Sequence, residues 1–449
     1  MNLFGTDGVR GKANTYPMVG DLAYKLGKAL VYALGNKSNK RKKIIIGKDT
    51  RLSGYMLEFA LTSGAVSMGA DAYLVGPMPT PAIAFLVRSM RADAGVVISA
   101  SHNPFYDNGI KIFSSKGLKL DNATEKLIED YTLNDKLKNK GVVGDELGRA
   151  HRIRDTLGRY IVFAKDTLPY SDTLEGLRVV LDCANGATYK VAPMIFEELG
   201  AEVIAINNKP NGKNINDKCG STYPNAIVEA SKLYRADVGI AFDGDGDRVI
   251  MVDEKQKIVD GDKILAILAK DMKEKGVLKN NSVVGTVMTN FGLEQFLRKE
   301  GITLERVAVG DKNIVQRMLD KDYNLGGEQS GHIILSDFNT TGDGIITSLA
   351  VLSVLKKKNA KLSELLNNFY KTPEKTLNIK VKEKPPIEEI REIQDSIKKA
   401  REILNNQGRI VVRYSGTEPL LRITIESDDV QNIDSCINLV SEAVKKNLT

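Results

Sequence analysis

RKKIIIGKDTR, at 41–51, is a short isoleucine-rich run ending in a polar, charged loop, the pattern of a buried strand. Helical spacing follows through Leu57–Met68, Gly69 stops it, and DAYLVG at 71–76 reads as a second strand. The same grammar returns twice. GLRVVLDCANG at 176–186 precedes a helical stretch at Val191–Leu199, the stop Gly200 and the strand AEVIAIN at 201–207. SVVGTVMTN at 282–290 precedes Leu293–Lys299, the stop Gly301 and ITLERVAVG at 302–310. Strand–helix–strand units joined this way are right-handed crossovers. The sequence therefore predicts an α/β protein with three similar α/β domains built on mixed, largely parallel sheets.

Each unit continues into a strand, a polar loop and another strand. The first copy is ADAGVVISASHNPFYDNGIKIF at 92–113, the second ADVGIAFDGDGDRVIMVD at 236–253, and the third, looser, is YNLGGEQSGHIILSD at 323–337. Ligands in open α/β sheets bind beyond the carboxyl ends of strands. One shared site would thus collect Ser101 and His102, then Asp243, Asp245, Asp247 and Arg248, then Glu328, Ser330 and His332. Prolines at 373, 385 and 386 then punctuate the chain. An amphipathic helix near Ile387–Leu404, the strands RIVVRYS and LLRITIES, and a last helix from Asp434 suggest a smaller C-terminal α+β domain. The expected domains are 1–150, 151–253, 254–370 and 371–449.

The acidic loop has the clearest chemistry. Gly244 and Gly246 permit unusual backbone angles between the aspartates, so three carboxylates can face one point. Crowded anions repel, and a hard divalent cation with oxygen ligands relieves them. The spacing also resembles a calcium EF-hand loop, with Glu254 at its twelfth position. That reading fails because Arg248 stands where glycine is required and the flanks are strands. In the serine loop a hydroxyl needs a base or a charge to become nucleophilic, and His102 and Lys111 are near in sequence. Arg413, Ser415, Gly416 and Thr417 make a candidate phosphate cradle between the last two strands, with Arg422 on the second of them. Arg10 and Lys312 are further cationic candidates.

Composition narrows the alternatives. Hydrophobic residues make up 42% and charged residues 27% of 449, an ordinary globular balance. The net charge of +7 suits either an anionic metabolite or a lysine-rich surface, and with no tryptophan and no basic stretch interleaved with aromatics, nucleic acid is not expected. Three scattered cysteines fit a reducing cytoplasm, and neither a secretory signal nor a membrane span is expected.

Taken together, GTDGVRG, ISASHNPFYDNGIKIF, DGDGDR, GGEQSGH and RYSGTEP resemble the α-D-phosphohexomutase family, in the family's order and over nearly the whole chain. The resemblance implies four domains around a central cleft, a phosphoserine at Ser101, and one Mg²⁺ per subunit held by Asp243, Asp245, Asp247 and partly by the Ser101 phosphate. It implies that Arg10, His102, Lys111 and His332 surround the transferring phosphoryl group, with Lys111 or His332 carrying protons. Arg248, Lys312, Glu328, Ser330, Arg413, Ser415, Gly416, Thr417 and Arg422 would hold substrate. Gln329, with GKDTRLSGYM, NGKNINDKCGSTYP and VVGTVMTNFGLE, is similar to the amino-sugar branch, whereas Tyr414 departs from it. The expected reaction interconverts glucosamine 6-phosphate and glucosamine 1-phosphate through a 1,6-bisphosphate. Mannose or glucose phosphates are the alternative substrates, phosphatase and sugar-phosphate sensor the rival classes, and a homodimer is left open.

Overall fold

The isoleucine run lies at the centre of a six-stranded sheet in the computed structural model, which describes residues 3–5, 7–35, 40–170, 172–405, 407–415 and 419–449. Its strands are β1 (Val9–Lys12), β2 (Lys43–Lys48), β3 (Asp71–Pro77), β4 (Ala94–Ile98), β5 (Asp107–Ser114) and β6 (Ala150–Arg152), in the order β1-β5-β4-β2-β3-β6. β2 runs parallel to β3 and β4, while β4 and β5 pair antiparallel around the serine loop. The helices are α1 (Gly20–Ala33), α2 (Gly54–Ser67), α3 (Thr80–Ser89), α4 (Asn122–Leu133) and α5 (Thr156–Lys165).

The second sheet repeats this plan. β7 (Arg178–Asp182) is parallel to β8 (Glu202–Ile206) and β9 (Val238–Phe242), and β9 turns antiparallel into β10 (Val249–Val252) around the acidic loop, with β11 (Ile258–Val259) at the edge. Helices α6 (Val191–Glu198) and α7 (Asn225–Tyr234) make the crossovers. In the third sheet β12 (Ser282–Thr286) is parallel to β13 (Thr303–Val307) and β14 (Leu325–Gly327), and β14 pairs antiparallel with β15 (Ile333–Leu335). It carries α8 (Gly261–Glu274), α9 (Phe291–Lys299), α10 (Asp311–Lys321), α11 (Gly344–Lys358) and the single turn α12 (Leu362–Leu365). All three stop glycines are left-handed, Gly69 at φ +85°, Gly200 at +92° and Gly301 at +63°, a conformation that lets a helix end sharply and return as a strand.

The C-terminal unit is an antiparallel sheet, β16 (Glu374–Lys380), β17 (Gly408–Tyr414) and β18 (Leu420–Ser427) with β18 central, covered by α13 (Arg391–Leu404) and α14 (Val430–Leu448). Three details differ from the sequence reading. β1, β6, β11 and β16 are strands that periodicity did not single out. α13 begins at Arg391, because a 3₁₀ turn at Ile387–Glu389 follows the proline pair. α14 begins at Val430 rather than Asp434, since the Asp429 carboxylate caps it by accepting the Gln431 N–H at 2.9 Å.

One apolar cluster runs unbroken through the first three units, taking in Ile83, Phe196, Phe242 and Leu349, whereas the C-terminal unit has its own core around Ile397, Ile423 and Val440. The continuity fixes the three loops relative to each other. At the seam between the second and third sheets the Val249 N–H donates to the Gly331 carbonyl at 3.1 Å. Gly331 has φ +91°, and a Cβ there would overlap the Val249 carbonyl. Gly331→Ala should therefore destabilise the protein by about 2 kcal/mol or more; an unchanged urea midpoint would contradict this packing.

Candidate active site

Ser101 follows β4 in a conformation unusual for serine, φ +51°, and is almost wholly buried. Its backbone is clamped from two sheets. The Ser101 carbonyl accepts from the Arg51 guanidinium at 2.9 Å and from Asn216 Nδ2 at 2.8 Å. Both donors also reach the Asn103 carbonyl, and Arg51 donates to the Pro104 carbonyl as well. Arg51 is fully buried and is neutralised by Asp49, whose Oδ2 lies 2.8 Å from Arg51 Nε and accepts from Ser99 Oγ at 2.6 Å. Held this way, the Ser101 hydroxyl donates to Asp243 Oδ2 at 2.5 Å and lies 3.4 Å from His102 Nδ1.

The acidic loop meets it from β9. One carboxylate oxygen from each of Asp243, Asp245 and Asp247 falls within 4.8 Å of the others, and all three side chains are buried. Gly246 is left-handed at φ +71°, as the turn between the aspartates requires; Gly244 is not, but a Cβ on it would press on the Ser101 carbonyl. Burial, then the charges of Asp247 and Asp245, push Asp243 well above the usual carboxylate range. Asp245 Oδ1 and Asp247 Oδ1 are buried without a hydrogen-bond partner. Crowded carboxylates and orphaned oxygens fit a divalent cation with oxygen ligands, and the cluster suits a metal site.

Lys111, on β5, closes the cage. Its ammonium is 3.0 Å from Asp245, 3.4 Å from Asp247 and 3.2 Å from Asp7. Burial alone would lower its pKa, but Asp245, Asp7 and Asp247 outweigh that and hold it well above the ordinary lysine value, so Lys111 is a fixed cation in this state. Arg10 pairs with Asp7, which also receives Lys119 at 2.5 Å. Burial and the nearby Arg248 and Arg10 push His102 down to about 4, which keeps its imidazole neutral.

His332 behaves oppositely. Burial would lower it, yet Asp247, Asp311 and Glu328 raise its pKa; its Nδ1 is 3.7 Å from Asp247 and its Nε2 faces the Gly342 N–H at 3.2 Å. Glu328 accepts from the Gly310 N–H at 3.3 Å and from Ser330 at 3.4 Å, and its charge reaches Arg248. Lys312 is paired at 2.6 Å with Glu125 of α4. Arg413 and Arg422 face each other across the β17–β18 ladder, and burial followed by Arg422 lowers the Arg413 pKa. Ser415 is buried at its end, its carbonyl accepting from Lys384 at 2.7 Å. Gly416 and Thr417 lie outside the described residues.

The structure thus brings Ser101, His102, Lys111, Arg10, the three aspartates, Arg248, Glu328, Ser330 and His332 into one region. Sequence reasoning missed Arg51 and Asp49, which lay in GKDTR, and Asn216, in NGKNIND. It also missed Thr80, whose hydroxyl donates to Asp245 Oδ2 at 2.6 Å. The signal for Arg51 was a charged residue at the end of a buried strand; nothing local marks Thr80.

Buried hydroxyl, carboxylate cage and fixed cation on three repeated α/β sheets define a phosphoryl-transfer type of site. Sequence profiles agree. The profile of phosphoglucomutase/phosphomannomutase, alpha/beta/alpha domain I, matches residues 1–139; those of domain II, domain III and the C-terminal domain match 159–257, 260–372 and 377–443. The chain belongs to the phosphoglucomutase/phosphomannomutase family, the α-D-phosphohexomutases, which are isomerase-type phosphotransferases. It is 52% identical over 446 residues to the phosphoglucosamine mutase of Pelobacter propionicus, covering 99% of this chain and 98% of that one. It is 51% identical over 451 residues to that of Bdellovibrio bacteriovorus, covering 100% and 99%. Among solved structures, a phosphoglucomutase/phosphomannomutase family protein from Burkholderia thailandensis superposes with a TM-score of 0.83 at 23% identity, over 100% of this chain and 99% of that one. An Aspergillus fumigatus N-acetylphosphoglucosamine mutase, solved with GlcNAc-6P and magnesium, superposes at 0.68 and 18% identity, over 100% and 96%.

The Arg51 clamp generates a test. Arg51→Ala removes four hydrogen-bonded contacts and strands Asp49 without its counter-charge. It should destabilise the protein by about 3–5 kcal/mol, and Arg51→Lys should recover only part; a thermal midpoint unmoved by either change would overturn the clamp.

Proposed function

We propose that this protein interconverts glucosamine 6-phosphate and glucosamine 1-phosphate, with Ser101 as the phosphoryl carrier and a 1,6-bisphosphate as intermediate. The Ser101 hydroxyl bonded to the acidic cage at 2.5 Å carries the mechanism. The choice of sugar rests on full-length relatives at about half identity that bear the name phosphoglucosamine mutase.

Asp243, Asp245 and Asp247 would hold the metal, proposed as Mg²⁺ because the donors are all hard carboxylate oxygens. When bound, it neutralises charge on the phosphoryl oxygens. The protein's own residues do the rest. Phosphoserine at 101 presents its phosphorus to a sugar hydroxyl; the new O–P bond forms as the Ser101 Oγ–P bond breaks, and the serine oxygen keeps the electron pair. Lys111 and Arg10 stabilise the charge that moves through that exchange. His332, as the neutral imidazole, takes the hydroxyl proton, and Lys111, already protonated, can return one to the Ser101 oxygen; the neutral His102 beside Oγ keeps its place without adding charge. Arg248, Lys312, Glu328 and Ser330 bind the sugar, and Arg413, Ser415, Gly416, Thr417 and Arg422 bind the phosphate that is not reacting. The bisphosphate then turns end for end and returns its other phosphoryl group to Ser101.

The segments 1–150, 151–253, 254–370 and 371–449 are the proposed domains, although β6 still pairs in the first sheet as far as Arg152 and β11 in the second as far as Val259. A cytoplasmic setting is proposed from three cysteines that remain free thiols. No helix among the described residues is long and apolar enough to cross a membrane.

Ser101→Ala should lower turnover on the order of a thousandfold or more while substrate still binds; near-normal turnover would remove Ser101 from the mechanism. Asp245→Asn should raise the Mg²⁺ concentration needed for half-maximal activity, and an unchanged metal dependence would reject the ligand set. Turnover compared on glucosamine, glucose and mannose phosphates decides the sugar: preference for either hexose would reject the proposed substrate.

A further inference from the structure

A cavity of about 320 Å³ opens at the carboxyl ends of β2 and β3, where the chain leaving β6 and the residues entering α6 meet them. None of the site residues above lines it. Four cations, Lys48, Arg152, Arg154 and Lys190, face one carboxylate, Glu58. Lys48 is committed: it forms a buried ion pair with Glu58 and lies 3.9 Å from the centre of the Tyr55 ring. Arg152, Arg154 and Lys190 are exposed at the rim and form no ion pair among the described residues. Glu58 is 98% buried, yet its Oε1 has no hydrogen-bond partner.

Those two facts ask for different halves of one ligand. Two guanidinium forks and an ammonium without counter-ions select a phosphate. A buried carboxylate oxygen with no partner selects a donor, a hydroxyl or an amine. The volume is at the small end of ligand pockets, enough for a hexose-sized molecule. The walls are also rigid. The Lys48 carbonyl accepts the Met78 N–H at 3.0 Å, the Thr80 N–H donates to the Asp245 carbonyl at 2.8 Å, and the Ala187 N–H donates to the Gly244 carbonyl at 2.8 Å. The chain segments lining the cavity therefore run on directly into those that brace the acidic loop.

We infer that this cavity is a second ligand site, taking a hexose-sized phosphomonoester: Arg152, Arg154 and Lys190 hold the phosphate, and Glu58 accepts a hydroxyl or amino hydrogen. Titration calorimetry on the full magnesium-loaded chain, with glucosamine 6-phosphate and separately with inorganic phosphate, tests it. Wild type should bind a second equivalent of the sugar phosphate beyond the one that turnover reports. The triple variant R152A/R154A/K190A, altered only at exposed positions, should keep turnover within about twofold and weaken the second equivalent at least about tenfold. Glu58→Gln should weaken the second site for the sugar phosphate and leave inorganic phosphate unaffected; if that buried change prevents folding, the triple variant decides. A single equivalent in wild type, or a second one that survives the triple change, overturns the proposal.

Discussion

Three carboxylates and a serine hydroxyl share one buried point, and electrostatics makes that arrangement unfavourable without a cation. Everything around it serves to hold the groups there. Burial pushes Asp243 upward, while Lys111 holds Asp247 down against the same burial, so the two carboxyls of the cage are driven in opposite directions. Coulomb energy between such charges grows as water is excluded. A loop free to relax would splay its aspartates apart. This one cannot.

The restraint comes from both sides. Thr80 of the first unit grips Asp245 through its backbone and its hydroxyl, and the Gly344 N–H of the third unit donates to the Gly246 carbonyl at 3.0 Å. Gly342 leaves room for His332 and the Asp247 carbonyl, which a Cβ would overlap. The acidic loop is thus stitched to both neighbours, and the unbroken apolar core beneath keeps those neighbours from drifting. Repetition of one structural unit explains how this arose from simple parts. Each antiparallel turn projects from the same end of its sheet, so three copies packed on one core present three loops to one another.

That repetition is why so much was legible beforehand. Hydrophobic runs, glycine stops and the three loops are local signals, and each has a counterpart in the sheets. What stayed hidden depends on distance along the chain. Thr80 and Asp245 are 165 positions apart, and the Arg51 clamp reaches across 50 positions to Ser101; no window of periodicity contains both partners. The left-handed backbone of Ser101 was hidden for a related reason. Serine has no intrinsic taste for φ +51°, and the conformation persists because Arg51 and Asn216 fix the carbonyl that follows it. β1 escaped because a four-residue edge strand alternates too briefly to stand out, and β16 because, of its seven residues EKTLNIK, only Ile379 is buried.

The C-terminal unit follows the same electrostatic logic with the sign reversed. Arg413 and Arg422 sit opposite each other on neighbouring strands, so each guanidinium meets a like charge across the ladder. The unit has its own core, but it is not loosely attached. Glu426 on β18 accepts the Phe291 N–H at the start of α9, and Arg409 on β17 donates to the Thr289 carbonyl at 2.9 Å in the turn leading into that helix. Burial raises the Glu426 pKa despite the opposing charge of Arg409, so this seam is held chiefly by hydrogen bonds rather than by a strong ion pair. A contact of that kind is directional: it fixes which face of the small sheet meets the third unit. Under the proposed function, the arginine pair of the small sheet would bind the phosphate at one end of the ligand while a phosphoryl group moves at the other end, beside the acidic cage.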